Sequence, residues 1–272
     1  HLQADDVVGL HGLGIRLVVR HRELGHPLAS HRPAGLPLVH EGRHRQLRLH
    51  VVRCGINTDG IEPRKHTGRG RNILFVGRLD HVKGVPVLIE AFSKVAAADT
   101  DVHLHIVGDG PERNYLESIV IDNGLESRVT FYGYQSQAQL RKHFAAADVF
   151  AISSFVEGIP VVLMEAMAAG VPVVAPRITG IPELVRDDVT GLLATPADAN
   201  ALAERLDRLL QDPELRTRLS AAARELLGNE FELAEQIQLL AAVMTKSLSG
   251  KAGTTSFNPA QAPQIAPPHR KL

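Results

Sequence analysis

The sequence predicts an α/β fold built on a doubly wound parallel sheet. Short apolar stretches recur between residues 72 and 194, and each is followed by a segment with helical character. Glycine and proline mark the connections between them. Apolar strands that alternate with helices are typical of a parallel sheet covered by helices on both faces.

The predicted elements follow one another without long gaps. Strands are predicted at Leu47 to Val52, Asn72 to Gly77, Val102 to Val107, Arg128 to Tyr132, Val149 to Ser154, Pro172 to Ala175 and Gly191 to Ala194. Helices are predicted at Gly84 to Ala98, Pro111 to Asp122, Gln137 to Ala147, Pro160 to Ala169, Ile181 to Arg186, Asp198 to Gln211, Pro213 to Leu227 and Glu232 to Ser247. Pro111 is placed at a helix start because its missing N–H is not needed in the first turn.

The two ends of the chain differ from its middle. Residues 1–46 carry many histidines but no Phe, Tyr or Trp, and no periodic pattern persists there. We predict a poorly ordered segment, and no metal site, because the histidines follow no ligand spacing tied to an element. Residues 47–71 are expected to form one strand and a polar linker, and residues 72–248 the folded domain. Residues 249–272, rich in Gly, Pro, Ala and Ser, are expected to be disordered.

The net charge and the hydropathy of the chain limit the classes of partner that we expect. Thirty basic and thirty acidic residues cancel, so no field is expected to steer the chain onto nucleic acid. No apolar run reaches the roughly 18 residues of a membrane span, so we expect at most peripheral membrane contact. The single cysteine, Cys54, fits a reducing compartment. We therefore expect a cytoplasmic protein, or one at the inner face of the membrane.

The most informative loops follow the predicted strands, because ligands bind beyond the carboxyl ends of strands in an open parallel sheet. The first loop, Gly77 to Gly84, contains Arg78 and Lys83 beside the start of a helix. Two cations beside a helix N-terminus suit an anionic phosphate group. The alternative is a solvated loop with ordinary surface charges.

Three further loops are predicted to meet at the same edge. Asp109 lies in a Gly-Asp-Gly turn, where backbone can approach a ligand, and Tyr134 follows the third strand of this series, where it either stacks on a base or packs. Glu157-Gly158-Ile159-Pro160 precedes a helix whose free N–H groups form a second anion site. The convergence of these features predicts a ligand site more strongly than any single loop does.

Glu165 is the one charge between Gly158 and Gly170, in a helix that is otherwise apolar. Such a helix is expected to be buried on most sides, and an unpaired buried carboxylate costs roughly several kcal/mol. Glu165 therefore needs a partner. The candidates are a core Arg or Lys and the hydroxyl group of a bound ligand.

A ligand with a pyrophosphate and a polyol fits this set of residues. Arg78, Lys83 and the helix N-terminus would bind the phosphates, and the two glutamates would accept hydrogen bonds from sugar hydroxyls. A nucleotide sugar carries both groups.

These residues resemble the donor-binding, C-terminal domain of the family 4 (group 1) glycosyltransferases, which have the two-lobed GT-B fold with Rossmann-like lobes. The family's pair of glutamates separated by seven residues is matched by Glu157 and Glu165. Other matching segments are Gly77 to Gly84, Val107 to Pro111, Gly180 to Leu184 and Gly191 to Leu193. The resemblance covers residues 47–244. Val51 to Ile56 is similar to the subgroup that builds exopolysaccharides such as colanic acid.

The resemblance implies a role for each site residue. Arg78 and Lys83 would bind the donor pyrophosphate, Glu157 would contact the transferred sugar, and Glu165 the ribose hydroxyls. The implied donor-binding set is Gly77, Arg78, Lys83, Asp109, Tyr134, Glu157, Gly158, Ile159, Pro160 and Glu165. Glu157, Arg78 and Lys83 would form the catalytic set, in which we do not assign Glu157 as a covalent nucleophile.

The resemblance also implies the reaction. A UDP- or GDP-sugar would donate its sugar to a glycan or lipid-linked acceptor, with retention at the anomeric carbon and without a metal or other cofactor. The family's amino-terminal lobe binds the acceptor, and residues 1–46 are expected to be only a remnant of it, so the chain alone should bind donor weakly and transfer little. A UDP-sugar 2-epimerase of the same architecture and a truncated, non-enzymatic nucleotide-binding domain are the alternatives.

Overall fold

The computed structural model describes residues 17–22, 47–58 and 61–249. In these ranges the strands are β1 (Leu17–Arg22), β2 (Leu47–Val52), β3 (Asn72–Val76), β4 (His103–Val107), β5 (Val129–Phe131), β6 (Val149–Ala151), β7 (Val173–Pro176) and β8 (Leu192–Ala194). The helices are α1 (Val85–Ala98), α2 (Arg113–Asp122), α3 (Gln137–Ala146), α4 (Val161–Ala168), α5 (Ile181–Leu184), α6 (Ala199–Gln211), α7 (Pro213–Glu230) and α8 (Leu233–Ser249).

The centre of the fold is a six-stranded sheet with the order β5-β4-β3-β6-β7-β8, and all of its ladders are parallel. The predicted α/β fold class is confirmed. The chain runs outward from β3 through β4 to β5 and then returns to the other side of β3 as β6. Loops that leave β3 and β6 therefore lie side by side at the point where the strand order reverses, and ligands bind at such points.

Both faces of the sheet are covered by helices. Helix α1 connects β3 to β4 and helix α4 connects β6 to β7, in opposite directions from the centre of the sheet, so right-handed crossovers place these two helices on opposite faces. Helix α1 packs against α6, and α4 packs against α7. Residues such as Ile73, Phe75 and Phe150 are completely buried, which explains why these strands lack polar alternation.

Two elements have boundaries that differ from the predicted ones. Helix α2 begins at Arg113 rather than Pro111, because the Glu112 N–H donates to the Leu79 carbonyl (3.0 Å) and keeps the preceding residues in a turn. Strand β6 ends at Ala151, three residues before the predicted end.

A second, two-stranded sheet pairs β1 with β2 in antiparallel register, from Leu17 opposite Val52 to Arg22 opposite Leu47. Strand β2 was predicted and is confirmed, whereas β1 was missed. The structure does not describe residues 1–16, 23–46 and 250–272. The poor order predicted for these segments therefore stays a prediction. Within the described ranges, no helix has both the length and the apolar character needed to cross a membrane.

The segment 61–71, which contains the polar linker predicted at Pro63 to Arg71, is fixed against the amino ends of β3 and β6. Asp148 accepts hydrogen bonds from the backbone N–H groups of Arg71 (2.8 Å) and Asn72 (3.0 Å) and forms an ion pair with Arg64 (2.5 Å). Burial alone would raise the pKa of Asp148, but these N–H donors and the Arg64 guanidinium outweigh burial and hold the pKa below its usual range.

We expect Asp148→Asn to lower the free energy of unfolding at pH 7 by about 1–3 kcal/mol, since it removes the charge from these hydrogen bonds. The folded-state pKa is depressed, so the stabilisation is present above the unfolded value of about 3.9 and is lost as pH falls through the folded value. Urea unfolding should show a smaller difference in free energy of unfolding between wild type and Asp148→Asn at pH 3 than at pH 7. A larger difference at pH 3 would contradict the prediction. Asp122→Asn, at the exposed end of α2, is the control and should leave the free energy of unfolding unchanged.

Candidate functional site

The loops at the carboxyl edge of the sheet are joined to one another by hydrogen bonds. After β3, Gly77 donates to the carbonyl of Val107 and Leu79 donates to that of Asp109, both at 3.0 Å. Gly108 has φ +130°, and a Cβ there would lie 1.9 Å from the Gly77 oxygen. Only glycine permits this conformation and this approach of the β3 and β4 loops. The N–H of Gly108 also donates to the Gly133 carbonyl, which joins the loop after β5 (2.9 Å).

Lys83 and Glu157, predicted from separate loops, are in direct contact. Lys83 closes a 3-10 turn between β3 and α1, and its Nζ lies 2.6 Å from Oε1 of Glu157. Glu157 is 8% exposed. Ser154 donates a second hydrogen bond to the same oxygen at 2.7 Å. The carboxylate is therefore held by two donors at the junction of the β3 and β6 loops.

The turn from Glu157 to Pro160 is supported from the β7 loop. The Thr179 hydroxyl donates to the Glu157 carbonyl. A Cβ on Gly180 would lie 2.5 Å from the Gly158 oxygen, so the two turns touch through their backbones. Pro160 caps α4 with extended backbone and Ile159 is buried beneath it. The N–H of Leu163 donates to the Pro160 carbonyl (3.1 Å), whereas the N–H groups of Val161 and Val162 have no acceptor within the helix, so this end carries partial positive charge at the rim.

Arg78 lies on the same rim but is 71% exposed, and its Nε is 3.4 Å from Oδ2 of Asp80. Both cations predicted to bind phosphate are thus paired with an acid: Arg78 with Asp80, and Lys83 with Glu157. An anion that binds here competes with these carboxylates, which lowers the net attraction to it.

Asp109 and Tyr134 lie on the rim without forming an enclosed site. Asp109 Oδ1 accepts a hydrogen bond from Gly110 (2.8 Å), and Oδ2 is 3.5 Å from Arg113. The Tyr134 ring is 86% exposed. Its role as a base-stacking residue stays a prediction.

Glu165 is not buried in the core as the sequence suggested. It shares an outward-facing stripe of α4 with Val161, four residues earlier, while the Leu163, Met164 and Met167 side chains are buried. Gln137, the first residue of α3, donates to Glu165 Oε1 at 3.0 Å. Of the two partners considered, a core Arg or Lys is excluded within the described residues. The half-buried carboxylate faces the α3 end of the loop that holds Tyr134.

Ser153, Ser154 and Thr179 support the site and were missed by sequence reasoning. A hydroxyl pair directly after an apolar strand was the available signal. Ser153 donates to the carbonyl of Gly84 at 2.9 Å, next to the turn that carries Lys83. No local pattern indicated Thr179, because its partner Glu157 lies 22 residues earlier in the chain.

One pair of acids with metal-ligand spacing lies away from this rim. Asp99-Thr100-Asp101 connects α1 to β4 at the amino edge of the sheet, where Arg69 contacts Asp99 (3.1 Å) and Arg71 contacts Asp101 (3.3 Å). Within the described ranges, no cluster of three or more His, Cys, Asp or Glu side chains is arranged to hold a metal ion.

Two small depressions in the described surface are not lined by a predicted ligand residue. One includes Ser153 and Asp198. The other is lined by His105, Tyr132 and His143 between the sheet and α3. The predicted residues instead lie along an open edge of the sheet.

Comparison with known proteins decides the family. The model of the family described as glycosyl transferases group 1 matches residues 61–226. The chain belongs to this family. The match includes the Lys83–Glu157 pair and Glu165, and it favours a glycosyltransferase over a 2-epimerase.

Two curated relatives extend the family assignment. The chain is 33% identical over 265 residues to the amylovoran biosynthesis glycosyltransferase AmsK of Erwinia amylovora, covering 88% of this chain and 65% of the relative. It is 34% identical over 209 residues to the putative colanic acid biosynthesis glycosyltransferase WcaL of Escherichia coli, covering 71% of this chain and 52% of the relative. The chain therefore spans less than two thirds of the length of these relatives.

Solved structures share the fold. Anabaena HepE, in complex with UDP and glucose, matches 65% of this chain and 49% of its own with a TM-score of 0.61 and 28% identity. Sucrose-phosphate synthase from Thermosynechococcus elongatus matches 73% of this chain and 52% of its own with a TM-score of 0.65 and 30% identity. The group 1 glycosyltransferase therefore has the Rossmann-like fold of a C-terminal GT-B lobe, as predicted.

Proposed function

We propose that residues 72–248 bind the nucleotide sugar donor of a retaining glycosyltransferase that works in cell-surface polysaccharide biosynthesis. The observation that carries the proposal is the contact between Lys83 and Glu157 beside the N-terminus of α4. A cation, a carboxylate and free N–H groups at one point suit a ligand with phosphate next to sugar hydroxyls. Family membership supports the reaction class, and HepE was solved with UDP and glucose.

In this proposal Lys83, Arg78 and the α4 N-terminus hold the diphosphate. As the bond between phosphate and sugar breaks, negative charge develops on the leaving diphosphate. Preorganised cations and N–H dipoles stabilise that charge more than they stabilise the bound donor, and this difference lowers the barrier. Glu157 accepts hydrogen bonds from the transferred sugar, and Glu165 from the ribose. Gly77, Asp109 and the backbone of Gly158 to Pro160 complete the contact surface, with Tyr134 beside the base.

The names of two relatives support the class of acceptor. AmsK is named for amylovoran biosynthesis and WcaL for that of colanic acid. We therefore propose a glycan or lipid-linked acceptor, and from the resemblance of the motifs to the family we propose transfer with retention and no metal or other cofactor in the site. A cytoplasmic location, with at most peripheral membrane contact, is consistent with the balanced charge and single cysteine.

Calorimetric titration of the purified chain with UDP, GDP and ADP tests the donor site. We expect UDP or GDP to bind weakly, and we expect little or no sugar transfer, because the described residues provide no lobe for an acceptor. Binding of none of the three would support the non-enzymatic alternative and overturn the proposal. Robust transfer by the chain alone would overturn its predicted dependence on a second lobe.

Glu165→Gln tests the ribose contact. We expect the preferred nucleotide to bind about 5–10-fold more weakly, since a hydrogen bond to a charged acceptor is worth about 1.5–3 kcal/mol, and part of it survives in the amide. The melting temperature should not change, because Glu165 is half-exposed and its partner Gln137 is neutral. Glu204→Gln, on the exposed side of α6, is the matched control. Unchanged affinity with lower stability would assign Glu165 a structural role instead.

A further inference from the structure

We propose that Ser154 is a positioning residue that directs one carboxylate oxygen of Glu157 towards the sugar of the bound donor. This inference rests on the proposed function, and it names the group that keeps Glu157 oriented when the donor enters.

Both polar contacts of the Glu157 side chain fall on the same oxygen. Oε1 accepts from Lys83 (2.6 Å) and from Ser154 (2.7 Å). In the part of the chain that the structure describes, Oε2 receives no hydrogen bond. It is the oxygen left to accept from a sugar hydroxyl.

The two donors to Oε1 differ in how firmly they are held. Lys83 reaches Glu157 through a flexible four-carbon stem, and its ammonium is the group expected to bind the diphosphate. Ser154 has a short side chain with a single χ1 angle, is buried three residues beyond the end of β6 and lies three residues before Glu157. When a diphosphate draws the ammonium of Lys83 away, Ser154 remains as the donor that holds Oε1.

Without the Ser154 hydroxyl, the carboxylate can rotate once Lys83 has turned to the phosphate. The loss of a fixed carboxylate orientation weakens binding of the sugar but leaves binding of the diphosphate unchanged. The affected quantity is therefore the ratio of the dissociation constants of a nucleoside diphosphate and its sugar derivative.

The neighbouring Ser153 provides a matched control. It is the same residue type, is also buried, and donates to the backbone carbonyls of Gly84 (2.9 Å) and Lys83 (3.2 Å) rather than to the carboxylate. Ser153→Ala loosens the turn that carries Lys83. It should weaken binding of the diphosphate and of the sugar nucleotide by the same factor.

The test is calorimetric titration of wild type, Ser154→Ala, Ser154→Thr and Ser153→Ala with two pairs of probes, UDP with UDP-glucose and GDP with GDP-mannose. For the pair that wild type distinguishes best, we expect Ser154→Ala to reduce the preference for the sugar nucleotide about 5–10-fold, with little change in affinity for the diphosphate. Ser154→Thr, which keeps the hydroxyl, should restore the preference, and Ser153→Ala should leave it unchanged. Thermal unfolding of each variant checks that the fold is retained.

Three results would overturn the positioning role: an unchanged preference in Ser154→Ala, an equal loss for both members of the pair, or the same loss of preference in Ser153→Ala. A wild-type chain that binds diphosphates but distinguishes neither pair also overturns it, while the phosphate site stands. If wild type binds none of the four probes, the proposed donor site itself fails, and the positioning role fails with it.

Discussion

Lys83→Met should weaken binding of a nucleoside diphosphate by about 10–100-fold, because it removes a charge-assisted hydrogen bond to phosphate of about 1.5–3 kcal/mol. It should also destabilise the fold. Glu157 is buried and loses the cation that lies 2.6 Å from its Oε1. Removing one partner of a fully buried ion pair costs about 3–5 kcal/mol; Lys83 keeps some solvent exposure, so we expect roughly 1–3 kcal/mol here.

A second variant separates the two effects of Lys83→Met. Glu157→Gln removes the unpaired charge and keeps an oxygen that accepts from Ser154. The double variant should therefore regain most of the lost stability, while its diphosphate affinity stays low. In Glu157→Gln alone, Lys83 is released from its competitor, and diphosphate affinity should rise up to about tenfold.

Urea unfolding and titration with UDP or GDP measure both quantities on the same samples. Lys94→Met, in an exposed pair with Glu90 on α1, is the control and should change neither. If the double variant binds as tightly as wild type, Lys83 is a structural residue and not a phosphate ligand.

Arg216→Met should destabilise the protein by about 3–5 kcal/mol, the largest effect on stability that we expect from a single substitution here. Arg216 lies on α7 with 0% exposure. Its guanidinium donates to the carbonyls of Leu209 (2.5 Å), Leu210 (2.9 Å) and Gly68 (2.5 Å), which joins the last turn of α6 to segment 61–71. Methionine fills similar volume but removes this donor from the carbonyls of Leu209 and Gly68, while the Leu210 carbonyl keeps the N–H of Gly70 (2.8 Å). Each buried polar group left unsatisfied costs about 1–3 kcal/mol.

Arg218→Met on the same helix is the matched control. Arg218 is exposed and pairs with Asp188 at 2.9 Å, and such surface pairs contribute about 0–1 kcal/mol. Urea unfolding of the two variants at pH 7 compares a buried arginine with an exposed one, two residues apart. Equal destabilisation would show that the backbone contacts of Arg216 contribute little.

Much of the fold was predictable because it depends on local patterns. Apolar strands such as Asn72–Val76 and the strand after Asp148 were recognised from consecutive apolar residues, and the loops after them were placed on one edge because parallel strands share direction. That placement put Lys83 and Glu157 at the same edge, but their direct contact was not predicted. Strand β1 was missed because its pairing with β2 depends on residues about 30 positions later in the chain.

The burial of individual side chains was harder to predict from the sequence. Glu165 was expected to be buried from its apolar neighbours, but the orientation of α4 turns that residue outward towards Gln137. Arg216 and Arg218 have the same composition of neighbours on α7, and only the rotation of the helix about its axis makes one buried and the other exposed.

The amino-acid order was sufficient to specify an α/β Rossmann-like lobe and to place the loops that hold Lys83 and Glu157 at one edge, since both depend on short-range pattern and on strand direction. The partner of each charge was not specified by that order. Lys83 meets Glu157 across 74 residues, Ser154 selects one oxygen of that carboxylate, and Arg78 is held by Asp80. The Lys83–Glu157 pairing arises because β3 and β6 lie next to each other at the reversal of the sheet. The two shorter-range pairings depend on the conformation of each loop, because a hydrogen bond depends on ångström-scale distances that residue spacing does not encode.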